Sequence, residues 1–433
     1  MFSGGTTGSA TMDAHGKRPL ATLVGLPAVV GVAAALCATL FTSLVHGAEQ
    51  LFWTWLPGAL GLDGVPWWWV LLLLLLGGVG VHLASRLPGH GGHHPLDGFA
   101  FDITGRELPS TLLAAASSLV FGAVLGPEAP LIAIGTSIGF AVHHRLGTEA
   151  SKVLVMAAAA AALGVVLGNP VVTMLLVLEA MFLAARPRPE QPVLQVVPIL
   201  AALGAGYVVR IGIAGWPGVH VPELSMGDLG SYPDLHVVDL VAGAVVAVVA
   251  GGLVLAAMRL GGVVRKAAAR GPFVALLAGG LTVGLLAVLV RATTGADVDT
   301  VLFSGQQSLS TVTTTTAAGT LVVVAVVKSA AYSVSLGTGF HGGTIFPSVF
   351  VGAAAGAAAA LLIPGTALAP LVACGIAAAV AAAAGMPVTA LVLALLLCVT
   401  AGPAVTVPAI LGALVGTLLK GLFNARRPAT VEP

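Results

Sequence analysis

The chain has very little charge. Charged residues make up 8% of its 433 residues, whereas apolar residues make up 58%. Soluble globular domains carry about 25% charged residues, so this composition excludes an ordinary soluble protein. It indicates a multi-pass protein of the cell membrane. The net charge is +1, and the chain has neither a basic tail that would bind nucleic acid nor an acidic tail. The expected partners are therefore membrane lipid and whatever crosses it, without nucleic acid.

Cysteine is scarce as well. The three cysteines lie in apolar runs and show no C-x-x-C spacing, which argues against a disulfide framework or a zinc site. The chain also lacks a nucleophile paired with a base and a nucleotide-binding loop, so we expect no enzyme, no cofactor and no bound metal. Residues 1–19 are polar and rich in Gly, Ser and Thr, a composition that predicts disorder. The stretch after them is too long for a signal-peptide core and predicts a retained helix.

What the sequence does contain is an internal repeat at an offset of 217 residues. Seven glycines and prolines of the first half coincide with the same residue types in the second half. Self-similarity at a fixed spacing indicates a duplicated unit. The positions are Gly122, Gly126, Pro130, Gly135, Gly139, Gly168 and Pro170, which coincide with Gly339, Gly343, Pro347, Gly352, Gly356, Gly385 and Pro387.

Apolar segments fill both halves, and many are long enough to cross a hydrocarbon core, which needs about 20 apolar residues. They predict a first membrane repeat at 20–213, a connection at 214–235, a second repeat at 236–423 and a tail at 424–433. Loop cations, including the cluster from Arg259 to Arg270, favour the cytoplasmic side. The segments lie near 20–45, 67–84, 108–124, 129–143, 150–167, 171–185, 194–213, 237–260, 272–292, 308–335, 346–363, 366–384, 387–401 and 403–423.

Some of these segments are short and begin abruptly at Gly and Pro. Interrupted segments in corresponding positions of two halves are typical of discontinuous helices around a central binding site. Gly126-Pro127-Glu128-Ala129-Pro130 opens one such helix, and the stretch from Gly342 to Pro347 opens its counterpart. Free amides at a helix start bind anions, most strongly where no water competes. Two such starts near one site would select anions.

Glu128 lies in the first turn of the helix that it opens. In one interpretation its carboxylate only compensates its own helix dipole, by about 0.3–1 kcal/mol. In the other, the carboxylate occupies the anion site itself and leaves when it is protonated or displaced, which would make it a gate. The spacing alone does not choose between them.

These helix starts resemble those of the CLC chloride channels and proton/chloride exchangers. The family motif G-K/R-E-G-P matches at Gly126, Glu128 and Pro130, with Pro127 in place of the basic residue and Ala129 in place of the second glycine. The motif G-x-F-x-P matches at Gly343 and Pro347, with the aromatic residue displaced by one position to Phe346. The runs Asn169-Pro170-Val171-Val172-Thr173 and Met386-Pro387-Val388-Thr389 also match, and the resemblance covers about residues 20–423.

The resemblance implies an all-α membrane fold of two inverted repeats, with discontinuous helices that meet at a central anion site. It makes Glu128 the external gating glutamate, and Glu128→Ala is expected to keep or raise chloride flux and to remove its dependence on external pH. It also implies a homodimer packed through 171–213 and 387–423, and no regulatory domain is expected after Phe423. The implied anion-binding residues are Gly126, Pro127, Ala129, Gly343, Thr344, Ile345 and Phe346, with Gly92, His93 and His94 in a third segment, Gly91–Pro95.

Two family features are missing. The third segment has no serine, and no tyrosine follows Tyr332 to serve as the pore tyrosine. The exchangers carry a pair of glutamates where this chain has Glu179-Ala180, so we expect weak or absent proton coupling. Glu179 is a possible part of a proton path, although a long polar side chain here more simply snorkels to the interface. Lys328 has the same two interpretations, with snorkelling favoured.

Three histidines, His90, His93 and His94, share a Gly-rich loop. They could bind a transition metal, but no helical spacing or fourth ligand supports this. The preferred interpretation is a solvated loop in which His93 and His94 add pH-dependent charge beside an anion site. The sequence therefore predicts transport of chloride or a similar small monovalent anion. The alternatives are a proton-coupled anion exchanger, an inverted-repeat transporter for another substrate, and a metal-binding membrane protein.

Overall fold

Helices account for nearly all regular structure in the part of the chain described by the computed structural model, residues 21–98, 101–146, 151–184, 192–222 and 224–425. The predicted disordered segment 1–19 lies outside that part, as does most of the predicted tail. Eight of the described helices are long and apolar enough to cross a membrane, and five more are apolar but shorter. This agrees with the predicted mixture of complete spans and discontinuous helices.

The two halves contain corresponding sets of helices. In the first half these are α1 (Leu26–Gln50), α2 (Leu56–Ala59), α3 (Trp67–Ala84), α4 (Leu108–Val120), α5 (Glu128–Leu146), α6 (Ser151–Leu167), α7 (Pro170–Ala184) and α8 (Pro192–Ile213). In the second they are α9 (Val237–Ala268), α10 (Pro272–Thr294), α11 (Leu309–Thr314), α12 (Ala318–Thr338), α13 (Ile345–Leu362), α14 (Leu368–Ala384), α15 (Pro387–Leu397) and α16 (Thr406–Ala425). Short 3₁₀ turns lie at Pro95–Asp97 and Val298–Thr300.

Two predicted segments have different bounds in the structure. The first does not end near residue 45, because α1 passes through a π-helical turn, Leu51–Trp55, into α2. The segment predicted at 308–335 divides into α11 and α12. A run of four threonines, 313–316, lies at this break, and the side chains of Thr314 and Thr315 donate to carbonyls three or four residues back. Such side-chain bonds compete with helix continuation.

The repeated glycines serve the same purpose in both halves. Gly122 and its equivalent Gly339 have φ angles of 93° and 105°, and Gly168 and Gly385 have 67° and 74°. Only glycine adopts this left-handed region freely. Gly339 and Gly385 end α12 and α14 in this conformation, where glycine is the usual helix terminator. The 217-residue repeat therefore records where each helix must stop so that the next can begin.

Close packing supports the helix starts from behind. A Cβ atom on Gly135 would lie 2.5 Å from the Cα of Ala159, and one on Gly352 would lie 2.4 Å from the carbonyl of Gly375. Only glycine permits this approach of α5 to α6 and of α13 to α14. Because small residues let helix backbones pack closely in a membrane, the two discontinuous helices are held rigidly in equivalent positions.

Candidate anion site between the repeats

The starts of α5 and α13 meet at a pair of backbone hydrogen bonds. The amide of Gly126 donates to the carbonyl of Gly343 at 2.8 Å, and the amide of Gly343 donates back to the carbonyl of Gly126 at 2.5 Å. These are equivalent residues of the two repeats, paired antiparallel. A reciprocal pairing of equivalent residues places a local two-fold axis between them. The two helix starts therefore face one site, as the duplication predicts.

A second pair of symmetric hydrogen bonds lies beside the first. Ser118 on α4 accepts a bond of 2.9 Å from the amide of His341, and its equivalent Ser335 on α12 accepts one of 3.1 Å from the amide of Val124. Each repeat thus fixes the segment before the other repeat's helix start. The sequence analysis missed these serines, although the 217-residue offset relates both serines and both amides and could have identified them.

Glu128 occupies the start of α13. Its side chain is fully buried, and its Oε1 atom accepts hydrogen bonds from the amides of Ile345 at 3.1 Å and Phe346 at 3.0 Å. These are the amides that the sequence analysis predicts for the anion site. The other oxygen, Oε2, is buried and has no hydrogen-bond partner among the described residues.

The glycines at this point leave room for the carboxylate. A Cβ atom on Gly126 would lie 2.0 Å from Oε2 of Glu128, and one on Gly343 would lie 1.7 Å from the same atom. Any other residue at either position would collide with the side chain of Glu128. The two motif glycines are therefore needed by the bound carboxylate as well as by the turn.

Two cavities have lining residues next to Glu128 in the chain. The first vestibule, about 520 Å³ in volume, is lined by Pro127, and the second, about 390 Å³, by Ala129, Gly343 and Thr344. Pro127 and Ala129 flank Glu128, so each cavity reaches one of its neighbours. Other lining residues are His46, Glu49, Trp53, His220, Asp299 and Phe303 in the first vestibule, and Gly91, His93, Asp97, Thr111, Ala180 and His341 in the second.

A tyrosine lies beneath the start of α13. Tyr332 is fully buried on α12, and its hydroxyl donates to the carbonyl of Thr344 at 3.4 Å. The family resemblance implies a pore tyrosine near the C-terminus, where this chain has no candidate. Lys328, Tyr332 and Ser335 follow a helical spacing of four and three residues along an apolar helix. That polar stripe was the available signal that α12 faces the site.

The histidine segment lies at the second vestibule, but only part of it faces the cavity. Gly91 and His93 line the vestibule. His94 instead accepts a hydrogen bond from the amide of Leu96, and burial and the nearby Arg265 lower its pKa to about 4. The pH-dependent charge that is expected of His94 is therefore confined to acidic conditions. Gly92 packs against Thr111 of α4.

An ion pair holds the same segment to the second repeat. Asp97 forms a bidentate contact with Arg265 at the end of α9, which holds the pKa of that carboxyl below its usual range. The contact stabilises the folded protein while the carboxyl is ionised, and this contribution is lost as the pH falls through the lowered pKa of Asp97.

No cluster of three or more possible metal ligands occurs among the described residues.

Glu179 has partners on the other repeat, which the interpretation of a snorkelling side chain does not include. Its carboxylate accepts hydrogen bonds from the amides of Val388 at 2.9 Å and Thr389 at 2.7 Å, and from the Thr389 hydroxyl. It therefore caps α15 from the other repeat, because a carboxylate satisfies the free amides of a helix start. Ala180, the next residue, lines the second vestibule.

We expect Glu179→Ala to destabilise the protein by about 0.5–2 kcal/mol, the range for loss of a helix cap. Glu179→Gln retains one acceptor oxygen and should fall between the two. Thermal unfolding of the three purified proteins checks this order. Equal melting temperatures would show that the cap contributes nothing to stability.

Lys328 is fully buried rather than snorkelled, so that expectation is wrong. Its ammonium group lies within 2.9–3.4 Å of four successive backbone carbonyls, Thr300 to Phe303. It also lies 4.5 Å from the ring centre of Phe350, one turn along α13 from Phe346. Phe303 has a φ of 57°, unusual for a residue other than glycine, and its ring lies beside Trp53 in the wall of the first vestibule. Lys328 thus fixes part of that wall.

Comparison with known proteins agrees with this geometry. A family model described as voltage gated chloride channel matches residues 89–421. A protein of Escherichia coli (strain SE11) called ion-transport protein YfeO is 28% identical over an alignment of 357 residues, and the match covers 79% of this chain and 80% of that protein.

Solved structures show the same fold at lower identity. A slow cyanobacterial Cl⁻/H⁺ antiporter superposes with a TM-score of 0.75 at 20% identity, over 93% of this chain and 95% of its own. A CLC-type fluoride/proton antiporter superposes with a TM-score of 0.67 at 16% identity, over 93% and 96%. The described residues include eight helices that could span a membrane, and the family consists of channels and transporters rather than enzymes. This integral membrane protein belongs to the voltage gated chloride channel (CLC) family.

Proposed function

We propose that this chain moves chloride or a similar small monovalent anion across the membrane, past a gate formed by Glu128. The observation that carries the proposal is the contact of the Glu128 carboxylate with the amides of Ile345 and Phe346, while its chain neighbours Pro127 and Ala129 line two vestibules. A carboxylate and a halide both carry one negative charge and accept N–H bonds at a helix start. An anion can therefore take this place when the carboxylate leaves.

The unpartnered oxygen of Glu128 supports a gate that responds to protons. Because Oε2 is buried and accepts no bond from the described residues, a proton there costs no existing hydrogen bond. Protonation would also remove the charge that holds Oε1 on the two amides, since charge-assisted hydrogen bonds are about twice as strong as neutral ones. The neutral side chain would then yield its place to an anion more readily.

Loop charges support a cytoplasmic second vestibule. Arg265 contacts Asp97 in that vestibule, and Lys266 and Arg270 follow it. Beside the first vestibule, Arg210 donates to the carbonyl of Pro222. Clustered loop cations favour the cytoplasmic side, which makes the first vestibule the external one.

We infer that proton coupling is weak or absent. A proton crossing a low-dielectric interior needs titratable groups at short intervals. Ala180 supplies none at the second vestibule, and the carboxylate of Glu179 is engaged at the start of α15. The two antiporters named above exchange their anion with protons, so coupled exchange is the alternative to be tested.

Reconstituted protein with simultaneous recording of anion flux and pH tests both statements. We expect chloride or nitrate to move down its gradient, organic anions to compete poorly, and little uphill proton movement. Ala180→Glu should increase the proton movement, with Ala180→Gln as the uncharged control. Exchange at a fixed ratio by the unmodified protein would contradict weak coupling, and absence of any anion flux would contradict transport.

The family's dimeric arrangement extends the proposal to a homodimer with one pathway in each subunit. α7 packs against α15, and α8 and α16 expose large apolar side chains, including Val208 at 70% and Leu418 at 58% exposed. We expect the detergent-solubilised protein to have the mass of two chains by light scattering after subtraction of detergent. A mass of one chain under mild conditions would argue for a monomer.

A further inference from the structure

Among the described residues, the first vestibule is lined by four titratable side chains that the gate does not use. Two are histidines, His46 and His220, and two are carboxylates, Glu49 and Asp299. They come from α1, from the connection between the repeats and from the 3₁₀ turn at Val298–Thr300. The cavity thus combines groups from three parts of the chain at the entrance that leads to Glu128.

Contacts tie these side chains together. The rings of His46 and His220 stack with centres 3.6 Å apart, and His46 lies 3.8 Å from the carboxylate of Glu49. The amide of Gln307 lies 3.4 Å from Glu49 and 3.5 Å from His46. The side chains of His46 and Glu49 remain 22% and 18% exposed, so they are in contact with water. Because the rings stack, a positive charge on one ring would repel a positive charge on the other.

Protonation changes the sign of the charge on this cluster. It carries two negative charges when both carboxyls are ionised and both rings are neutral, and it becomes positive as all four side chains gain protons. Other charged side chains lie near the cluster. Arg210 contacts Pro222, Lys328 lies behind the Thr300–Phe303 segment, Asp297 lies beside Asp299, and Glu128 is the gate itself. None of the variants below changes these groups except Glu128, which is removed deliberately.

We propose that His46, Glu49, His220 and Asp299 determine how readily an anion enters the first vestibule, as a second pH-sensitive element separate from the Glu128 gate. The inference rests on the proposed anion transport. A unit charge about 8 Å from an anion in water changes the local anion concentration about twofold. A change from two negative charges to a net positive charge therefore changes access severalfold. External acid promotes entry even where no gate remains.

The test uses Glu128→Ala protein in liposomes, in which the gate cannot respond to pH. Chloride influx is measured against external chloride at external pH values from 4.5 to 8. We expect the half-saturating chloride concentration to rise severalfold between pH 5 and pH 8, with a nearly constant maximal rate. This refines the expectation that loss of Glu128 removes all dependence on external pH.

Two sets of variants in the same background test the carboxylates and the histidines separately. Glu49→Gln with Asp299→Asn should lower half-saturating chloride at pH 8 by about threefold or more, since two negative charges are gone. His46→Gln with His220→Gln should raise it at pH 5. Asp63→Asn, an exposed carboxylate that does not line the vestibule, is the matched control and should change nothing.

Ionic strength distinguishes a charge effect from a structural one. Screening extends over about 8 Å at 0.15 M salt and about 3 Å at 1 M, so an impermeant salt should reduce every difference between variants. The proposal is overturned if the Glu128→Ala protein shows no pH dependence of half-saturation, or if both variant sets keep the parent's dependence. If the unmodified protein and Glu128→Ala both carry no anion flux, transport itself is refuted, and this result is distinct from the other two.

Discussion

Replacement of Glu128 by alanine should keep or increase anion flux. The substitution removes the carboxylate that competes for the amides of Ile345 and Phe346. Each hydrogen bond to a charged group contributes about 1.5–3 kcal/mol, so opening the gate is expensive whenever it limits the rate. Where it does, flux should rise about tenfold or more, because even one such bond exceeds the free energy of about 1.4 kcal/mol that corresponds to a factor of ten. Proteoliposomes with equal amounts of the two proteins give the comparison directly.

Glu128→Gln is the matched control because it retains the length of the side chain and one acceptor oxygen while losing the charge. Its flux should lie between those of the unmodified protein and Glu128→Ala at neutral pH. The gate's share of the external pH dependence should vanish in both variants. A folded Glu128→Ala protein without flux would contradict a gate and favour an essential binding role for the carboxylate.

Replacement of Lys328 by methionine should strongly destabilise the protein. Methionine has similar length and no hydrogen-bond donors, so the four carbonyls from Thr300 to Phe303 lose their shared partner. Leaving buried polar groups unsatisfied costs about 1–3 kcal/mol each. Even if water reaches half of them, the loss exceeds about 2 kcal/mol. A melting temperature lower by several degrees in detergent is the expected result.

Lys266→Met provides the comparison, since Lys266 lies exposed near the end of α9. Its melting temperature should stay close to that of the unmodified protein. If Lys328→Met melted at the same temperature as Lys266→Met, the carbonyls would have found other donors, and Lys328 would not be what holds the Thr300–Phe303 segment.

The helix starts could be predicted because local backbone chemistry determines them. Glycines with positive φ end helices and prolines occupy first turns at equivalent places in both repeats, so they recur at the 217-residue offset. The partnership of Glu128 with Ile345 and Phe346 follows from the same duplication. Here local geometry and tertiary structure impose the same requirement.

The partners of Lys328 and Glu179 could not be predicted in this way. Lys328 binds carbonyls 25 to 28 residues away, and Glu179 binds amides about 210 residues away. Hydropathy reports only that such a side chain is costly in an apolar helix, and snorkelling is the cheapest local solution. The structure instead satisfies each group with unpaired backbone atoms at a turn or helix end, which no spacing in the sequence reveals.

The pairing of Gly126 with Gly343 has a consequence for how the duplicated chain departed from symmetry. The position equivalent to Glu128 in the second repeat is Ile345, and the carboxylate of Glu128 accepts the amide proton of that same residue. If both copies carried glutamate, two negative side chains would compete for one place on the axis, at a high cost in a dry interior. The first repeat therefore supplies the carboxylate that closes the site, and the second repeat supplies the amides that bind it. A protein assembled from two unfused identical halves could not divide these tasks, so joining the copies in one chain is what permits a single gate.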